Sequence, residues 1–324
     1  MQESRHQDTA SAKPVILVIG TGAIGGYYGA KLAQAGARVS VVARSDFDWI
    51  QAEGIRVQSD EGETRLVPEK VLRTAREFGE IPDIVVVATK VTPGADTPGL
   101  VHGAVGPQTS ILLIQNGIGI EEPVLRAFPD TEILSGLAFI AANRIGPGRI
   151  LHLDYGRLTL GRYPSGPSPR AEVIRSLLES VGVPCLVTED VVTARWQKLV
   201  WNAPFNPMSV LAGGVDTQTI LGSEESTRLA RAVMEEVCRL AAAADHPLPP
   251  DVIEQNIQGT RVMKPYKTSM LLDFENRRPM EVEAILGNAV RIGRSLGVPV
   301  PHMETLYGLL MLVDSRISRS GGRQ

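Results

Sequence analysis

Val15-Ile16-Leu17-Val18-Ile19-Gly20-Thr21-Gly22-Ala23-Ile24-Gly25 is the stretch that decides the fold. Its first five residues are apolar and mostly β-branched, as a parallel strand buried on both faces requires. The next six fit Gly-x-Gly-x-x-Gly, and the small-residue run from Ala23 to Ala35, closed by Gly36, has the composition of a helix. Such a glycine pattern is weak alone. Placed directly after a strand and at the opening of a helix, it marks a loop that carries a dinucleotide pyrophosphate. Gly20 permits the tight turn, Gly22 lets the phosphates approach the backbone, and Gly25 lets the helix pack on the sheet. Ala23 and Ile24 lie in the first helical turn, whose free N–H groups and positive dipole end favour an anion. The plainer alternative is a strand-to-helix turn with no ligand. A Walker loop is excluded, because no Gly-Lys-Ser or Gly-Lys-Thr closes the glycine run.

Outward from this loop, Val39 to Ala43, Ile84 to Ala88 and Ile111 to Ile114 repeat the buried-strand signature, with helical or loop material between them. That alternation argues for a mostly parallel sheet with right-handed crossovers. Leu137 to Ala141 is another short apolar run, and Leu151 to Gly161 alternates as an antiparallel or edge strand does. Glu172 to Val181 reads as a helix and Cys185 to Thr188 as a last strand. From Val191 onward strand signals nearly vanish, while Arg228 to Ala244 and Glu281 to Leu296 have helical periodicity. The fold class expected is therefore an α/β Rossmann-type N-terminal domain, residues 14–189, followed by an all-α C-terminal domain, residues 190–324. Residues 1–13 are polar, lack the charged-then-apolar order of a secretory signal, and are expected to form a disordered tail.

The bulk composition agrees with two ordinary cores. The chain has 324 residues, 43% hydrophobic and 21% charged, so neither a metal nor a disulfide is needed to hold it. A net charge of −3 offers no basic footprint for nucleic acid or an acidic membrane surface. No apolar run approaches the length of about 18 residues that spans a bilayer. Cys185 and Cys238 stand far apart with no Cys-x-x-Cys or His-x-x-x-His pair, which argues against a zinc site. A cytoplasmic protein with no metal, no nucleic-acid partner and no membrane partner is expected. Apolar helical faces in the second half are compatible with a homodimer and equally with a plain core.

At the end of the second strand, an NAD-preferring loop carries Asp or Glu for the ribose hydroxyls. Here Val42-Ala43 runs into Arg44, nineteen residues after Gly25, where a guanidinium can pair with the 2′-phosphate of NADP. Asp46 nearby keeps NAD open. Hydride delivery to a ketone leaves negative charge on oxygen, which needs a cation or proton donor beside it. Lys198, Asn202 and Asn206 recur at i, i+4 and i+8 among apolar neighbours, and on a helix they share one face. Pro204 would kink that helix near Asn206. The alternative is the surface face of a half-exposed helix. Lys90 and Asn116-Gly117 each follow a buried strand, at the carboxyl edge where open parallel sheets bind ligands, although both also suit plain turns. Ser269 and Glu281 flank a charged stretch whose carboxylates are most simply solvated or helix-start charges.

Taken in order, the Gly20 to Gly25 loop, Arg44, Lys90, Gln115-Asn116-Gly117, the Lys198 to Asn206 segment, and Thr268-Ser269-Met270-Leu271 with Glu281 resemble the ketopantoate reductases. The resemblance covers about Pro14 to Val313. It implies NADPH-dependent reduction of a 2-keto acid, ketopantoate, to pantoate. It further implies Lys198 as the catalytic lysine and Glu281 as the acid holding the substrate hydroxyl. Ser269, Asn202 and Asn206 are implied substrate contacts, and Lys90 and Asn116 are implied to lie on the cofactor side, near the nicotinamide ribose and substrate. One departure stands out: several members place an asparagine three residues before the serine, where this chain has Tyr266. That leaves open a reductase of another 2-keto acid. A non-catalytic NADP-binding sensor is the alternative of a different class.

Overall fold

The computed structural model describes residues 13–321. Apart from Lys13, the expected tail of residues 1–13 lies outside them. Among the described residues ten strands form one sheet: β1 (Val15–Ile19), β2 (Arg38–Val42), β3 (Ile55–Ser59), β4 (Gly62–Leu66), β5 (Val71–Leu72), β6 (Ile84–Val87), β7 (Ser110–Leu113), β8 (Glu132–Gly146), β9 (Arg149–Arg162) and β10 (Cys185–Val187). Their order is β4-β3-β9-β8-β7-β6-β1-β2-β5, with β10 added on β9. The pairs β1–β2, β1–β6, β6–β7 and β7–β8 are parallel, so β1 lies centrally and its carboxyl end opens onto the reversal of strand order. That reversal is where doubly wound sheets leave a crevice.

The four strands β1, β2, β6 and β7 are buried almost throughout because helices cover both faces of the sheet. One face packs the helix Ala23–Gln34 and the helix Pro169–Ser180 over Ile16, Val18, Val86 and Leu112. The other packs Phe78, Val101 and Val124 over Leu17, Ile19, Val85 and Ile111.

Two features of the sheet depart from the expectation. The segment between Ala43 and Ile84 is not only helix and loop: it contains β3, β4 and β5. Ile55 and Val57 point inward and Arg56 outward, an alternation over too few residues to stand out in the sequence. The run expected at Leu137–Ala141 is the middle of a 15-residue strand, β8, which pairs with β7 over Glu132–Ser135 and then continues antiparallel to β9. Bulges at Phe139/Ile140, Ala141/Ala142 and Arg144/Gly146 bend this ribbon into a wall beside the carboxyl edge.

Beyond β10 the described residues are helical. Asp190 caps the helix Val191–Leu211 by accepting from the Thr193 N–H at 3.0 Å. The helix runs through Pro204 and Pro207 and is packed on by the helices Glu224–Ala243, Ser269–Glu275 and Pro301–Gly321. These helices build a separate core around Trp196, Phe205, Met234 and Leu286. The expected helix at Glu281 begins instead at Val282 and opens with a π-helical segment, Glu283–Gly287, before continuing as Asn288–Leu296. Among the described residues no helix is long and apolar enough to cross a membrane.

Candidate active site

A cleft of 2050 Å³ runs along the carboxyl edge of the sheet between the two cores. The glycine loop forms its floor. Gly20 has φ +96°, and a Cβ there would meet Thr89 Cγ2 at 2.9 Å; a Cβ on Gly25 would lie 1.9 Å from the Gly20 carbonyl oxygen. Both glycines are therefore required by packing. Gly22 differs: a Cβ on it would meet nothing within 4 Å, because it points into the cleft at the N-terminus of the helix Ala23–Gln34. That open cradle, with the unsatisfied N–H groups of the first helical turn, fits a pyrophosphate.

Arg44 follows β2 and is exposed along the cleft, with no ion pair among the described residues. Arg73 and Arg76 line the same end, Arg73 stacked 3.9 Å from the Phe47 ring. Neither was read from the sequence, since both sit on a different segment from Arg44. Asp46, which had kept NAD open, is only 3% exposed and already engaged. It accepts from Arg144 Nε at 2.8 Å, the Gly148 N–H at 3.1 Å and Ser45 Oγ at 2.9 Å. Burial acts to raise its pKa, but Arg144, Gly148 and Ser45 together hold the carboxyl below the usual range.

At the other end, three side chains from distant parts of the chain form one connected unit. Lys198, on the central helix, donates from Nζ to Asn116 Oδ1 at 2.9 Å and to the Ala138 carbonyl at 2.9 Å. Asn116, in the loop after β7, donates from Nδ2 to Glu281 Oε2 at 2.9 Å. Glu281 Oε1 accepts from the Val91 N–H at 3.0 Å, in the loop after β6. Burial, chiefly, with the nearby Arg195 cation, pulls the Lys198 pKa down to about 8, while Glu281 opposes the fall.

Arg195 lies one turn before Lys198 and went unremarked in the sequence. It is 2% exposed and ion-paired to Glu121, itself 0% exposed. It also donates to the carbonyls of Gln115 and Gly117, each at 2.9 Å. This buried pair ties the Asn116 loop to the central helix. Gly117, at φ +105°, completes the junction, because a Cβ there would meet the Ala284 carbonyl oxygen at 2.4 Å. The Ile118 N–H donates to that same carbonyl, at the π-helical segment that follows Glu281.

Asn202 and Ser269 line the cleft and their side chains make no hydrogen bond among the described residues. Lys90 also lines it and pairs with Asp273 of the helix Ser269–Glu275, which Arg278 also contacts at 3.2 Å. Asn206 does not line the cleft. It is 1% exposed, donating to the Asn202 carbonyl at 3.2 Å and accepting from the Met270 N–H at 3.3 Å. Eight residues after Lys198 the helix has turned about 80° away, so the shared face does not extend that far. Tyr266 stands on the cleft wall, its ring 6.2 Å from that of Trp201.

Comparison with known proteins agrees with this architecture over most of the chain. Residues 16–165 match the family model for Ketopantoate reductase PanE/ApbA, and residues 190–314 match its C-terminal counterpart. The chain belongs to the ketopantoate reductase family. A family relative from Nostoc sp. PCC 7120, named 2-dehydropantoate 2-reductase, is 36% identical over 94% of this chain and 96% of its own. The crystal structure of 2-dehydropantoate 2-reductase from Methylococcus capsulatus is 52% identical, with a TM-score of 0.89, covering 94% of this chain and 97% of that one. A D-mandelate dehydrogenase with NADH and anilino(oxo)acetate shares the fold at 21% identity and a TM-score of 0.85, covering 94% of this chain and 99% of its own.

Proposed function

We propose that this chain is an NADPH-dependent reductase that converts ketopantoate to pantoate. The observation that carries the reading is the Lys198–Asn116–Glu281 unit, set at the carboxyl edge of the sheet beside an open phosphate cradle. The names of the Nostoc and Methylococcus relatives support the same substrate.

When bound, the nicotinamide would supply a hydride to the keto carbon. Gly22 and the first turn of its helix would hold the pyrophosphate, Arg44 with Arg76 the 2′-phosphate, and Lys90 the sugar near the nicotinamide. Lys198 has three N–H donors, and two are spent on Asn116 and Ala138. The third is left for the substrate carbonyl oxygen, where the ammonium stabilises developing negative charge and gives up its proton as the alkoxide forms. A pKa near 8 suits that task, since the proton is held less tightly than on a solvated lysine. Asn116 fixes the ammonium and the carboxylate at once. Each oxygen of Glu281 takes one protein donor, which leaves lone pairs for the substrate hydroxyl. Asn202 and Ser269 present free polar groups for the rest of the substrate, and Asn206 braces both by bonding the Asn202 and Met270 backbone.

A second reading, reduction of a 2-keto acid with a larger apolar side chain, is favoured by the aromatic wall of Trp201, Tyr266 and Tyr155 along the cleft. NADPH oxidation followed by absorbance with ketopantoate and a panel of other 2-keto acids separates the two. The proposal expects the highest kcat/KM with ketopantoate. A higher value with an apolar or aromatic 2-keto acid would replace it with the second reading, and no turnover of any would leave a cofactor-binding sensor.

A further inference from the structure

We propose that Arg144 is a positioning residue for cofactor selectivity: by sequestering Asp46 it keeps a carboxylate away from the 2′-phosphate and commits the site to NADPH. This rests on the NADPH reading above and assigns it a second determinant besides Arg44.

Asp46 stands two residues beyond Arg44 in the turn after β2, where a free carboxylate serves the 2′- and 3′-hydroxyls of NAD and repels a phosphate. Both of its oxygens are occupied: Oδ2 by Arg144 Nε at 2.8 Å and the Gly148 N–H at 3.1 Å, Oδ1 by Arg144 and Ser45. The Asp46 side chain is 4% exposed and that of Arg144 33%, and both line the cleft.

The pairing is built into the fold. Arg144 stands near the tip of the β8–β9 ribbon, 98 residues from Asp46 in sequence. The tip is wedged in place: Gly148 has φ +58°, and a Cβ on it would meet Trp49 Cδ1 at 2.5 Å and the Gly54 carbonyl oxygen at 2.9 Å. Its carbonyl accepts from the Arg56 N–H at 2.8 Å. The length of β8 past the rest of the sheet thus delivers one guanidinium to the end of β2. With Arg144 present, Asp46 is neutralised and Arg44 and Arg76 dominate the field at that end. Without it, an unpaired carboxylate faces the ribose.

The test measures dissociation constants of NADPH and NADH by nicotinamide fluorescence, with displacement by 2′,5′-ADP and 5′-AMP, on the full-length protein and its variants. Arg144→Met is expected to lower the NADPH preference about tenfold or more, weakening NADPH while tightening NADH. Arg144→Lys, which keeps the charge, should retain most of the preference. Asp46→Asn/Arg144→Met, which leaves no unpaired charge, should recover it. If Arg144→Met does not fold, Asp46→Asn alone decides, since it should bind NADPH at least as selectively as the parent. An NADPH/NADH ratio left unchanged by Arg144→Met, whether or not both cofactors weaken, or a ratio lowered by Asp46→Asn, would overturn the proposal. A parent protein with no NADPH preference would instead overturn the NADPH reading on which it rests.

Discussion

Lys198 and Glu281 hold opposite ends of one carboxamide: Asn116 accepts from the lysine and donates to the glutamate, both at 2.9 Å. The arrangement brings a cation and an anion to one site without a direct salt bridge between them. Each therefore keeps hydrogen-bonding capacity for a third party in the cleft.

Reduction should be pH-dependent with a definite sign. Burial and Arg195 lower the Lys198 pKa to about 8, so the protonated donor predominates below that pH and is lost above it. kcat/KM for the keto acid should fall about tenfold per pH unit above about 8. Glu281 acts to raise the Lys198 pKa, so Glu281→Gln should move the fall to lower pH as well as reduce kcat/KM. A pH–rate profile of both proteins checks the pair of effects; an unshifted profile in the variant would separate Glu281 from the lysine.

Glycine substitutions in the phosphate loop should divide by role. Gly22→Ala meets no atom within 4 Å, so it should cost at most about 1 kcal/mol of stability at this cap position while weakening NADPH binding. Gly25→Ala must displace the Gly20 carbonyl and should destabilise the fold by about 1–3 kcal/mol. Denaturant unfolding alongside cofactor titration distinguishes them, and comparable stability losses in both would contradict the division.

Arg44→Ala should weaken NADPH about 10–100-fold with little effect on NADH, since it removes charge-assisted contacts to a phosphate that NADH lacks. Titration of both cofactors reads this directly. An unchanged NADPH/NADH ratio would remove Arg44 from the 2′-phosphate site.

Much of this site was legible in the sequence because its signals are local. The glycine loop declares itself by the strand before it and the helix after it. Lys198 and Asn202 declare themselves as polar residues one turn apart among apolar ones. Asn206 fitted the same spacing, but helical rotation turns its amide into the protein, where it bonds backbone instead of lining the cleft. The residues that sequence reading passed over act across long separations. Arg195 looks like any helix-start charge until Glu121 and the Asn116 loop fold onto it. Arg144 lies near the end of a strand with no local signal until the bulged ribbon carries it to Asp46. The π turn after Glu281 lies against Gly117 and Ile118, a contact across long sequence separation that no local pattern encodes. Cys185 and Cys238 are both free thiols, the first buried, where burial and then Glu179 push the thiol up to about 12.

The most direct test of the account is turnover by Lys198→Ala, measured as NADPH oxidation with ketopantoate beside NADPH binding by fluorescence. The account predicts a loss of about two orders of magnitude or more in kcat with NADPH affinity kept within a few-fold, because the lysine serves the reacting oxygen and not the cofactor. Near-normal turnover in this variant would contradict it.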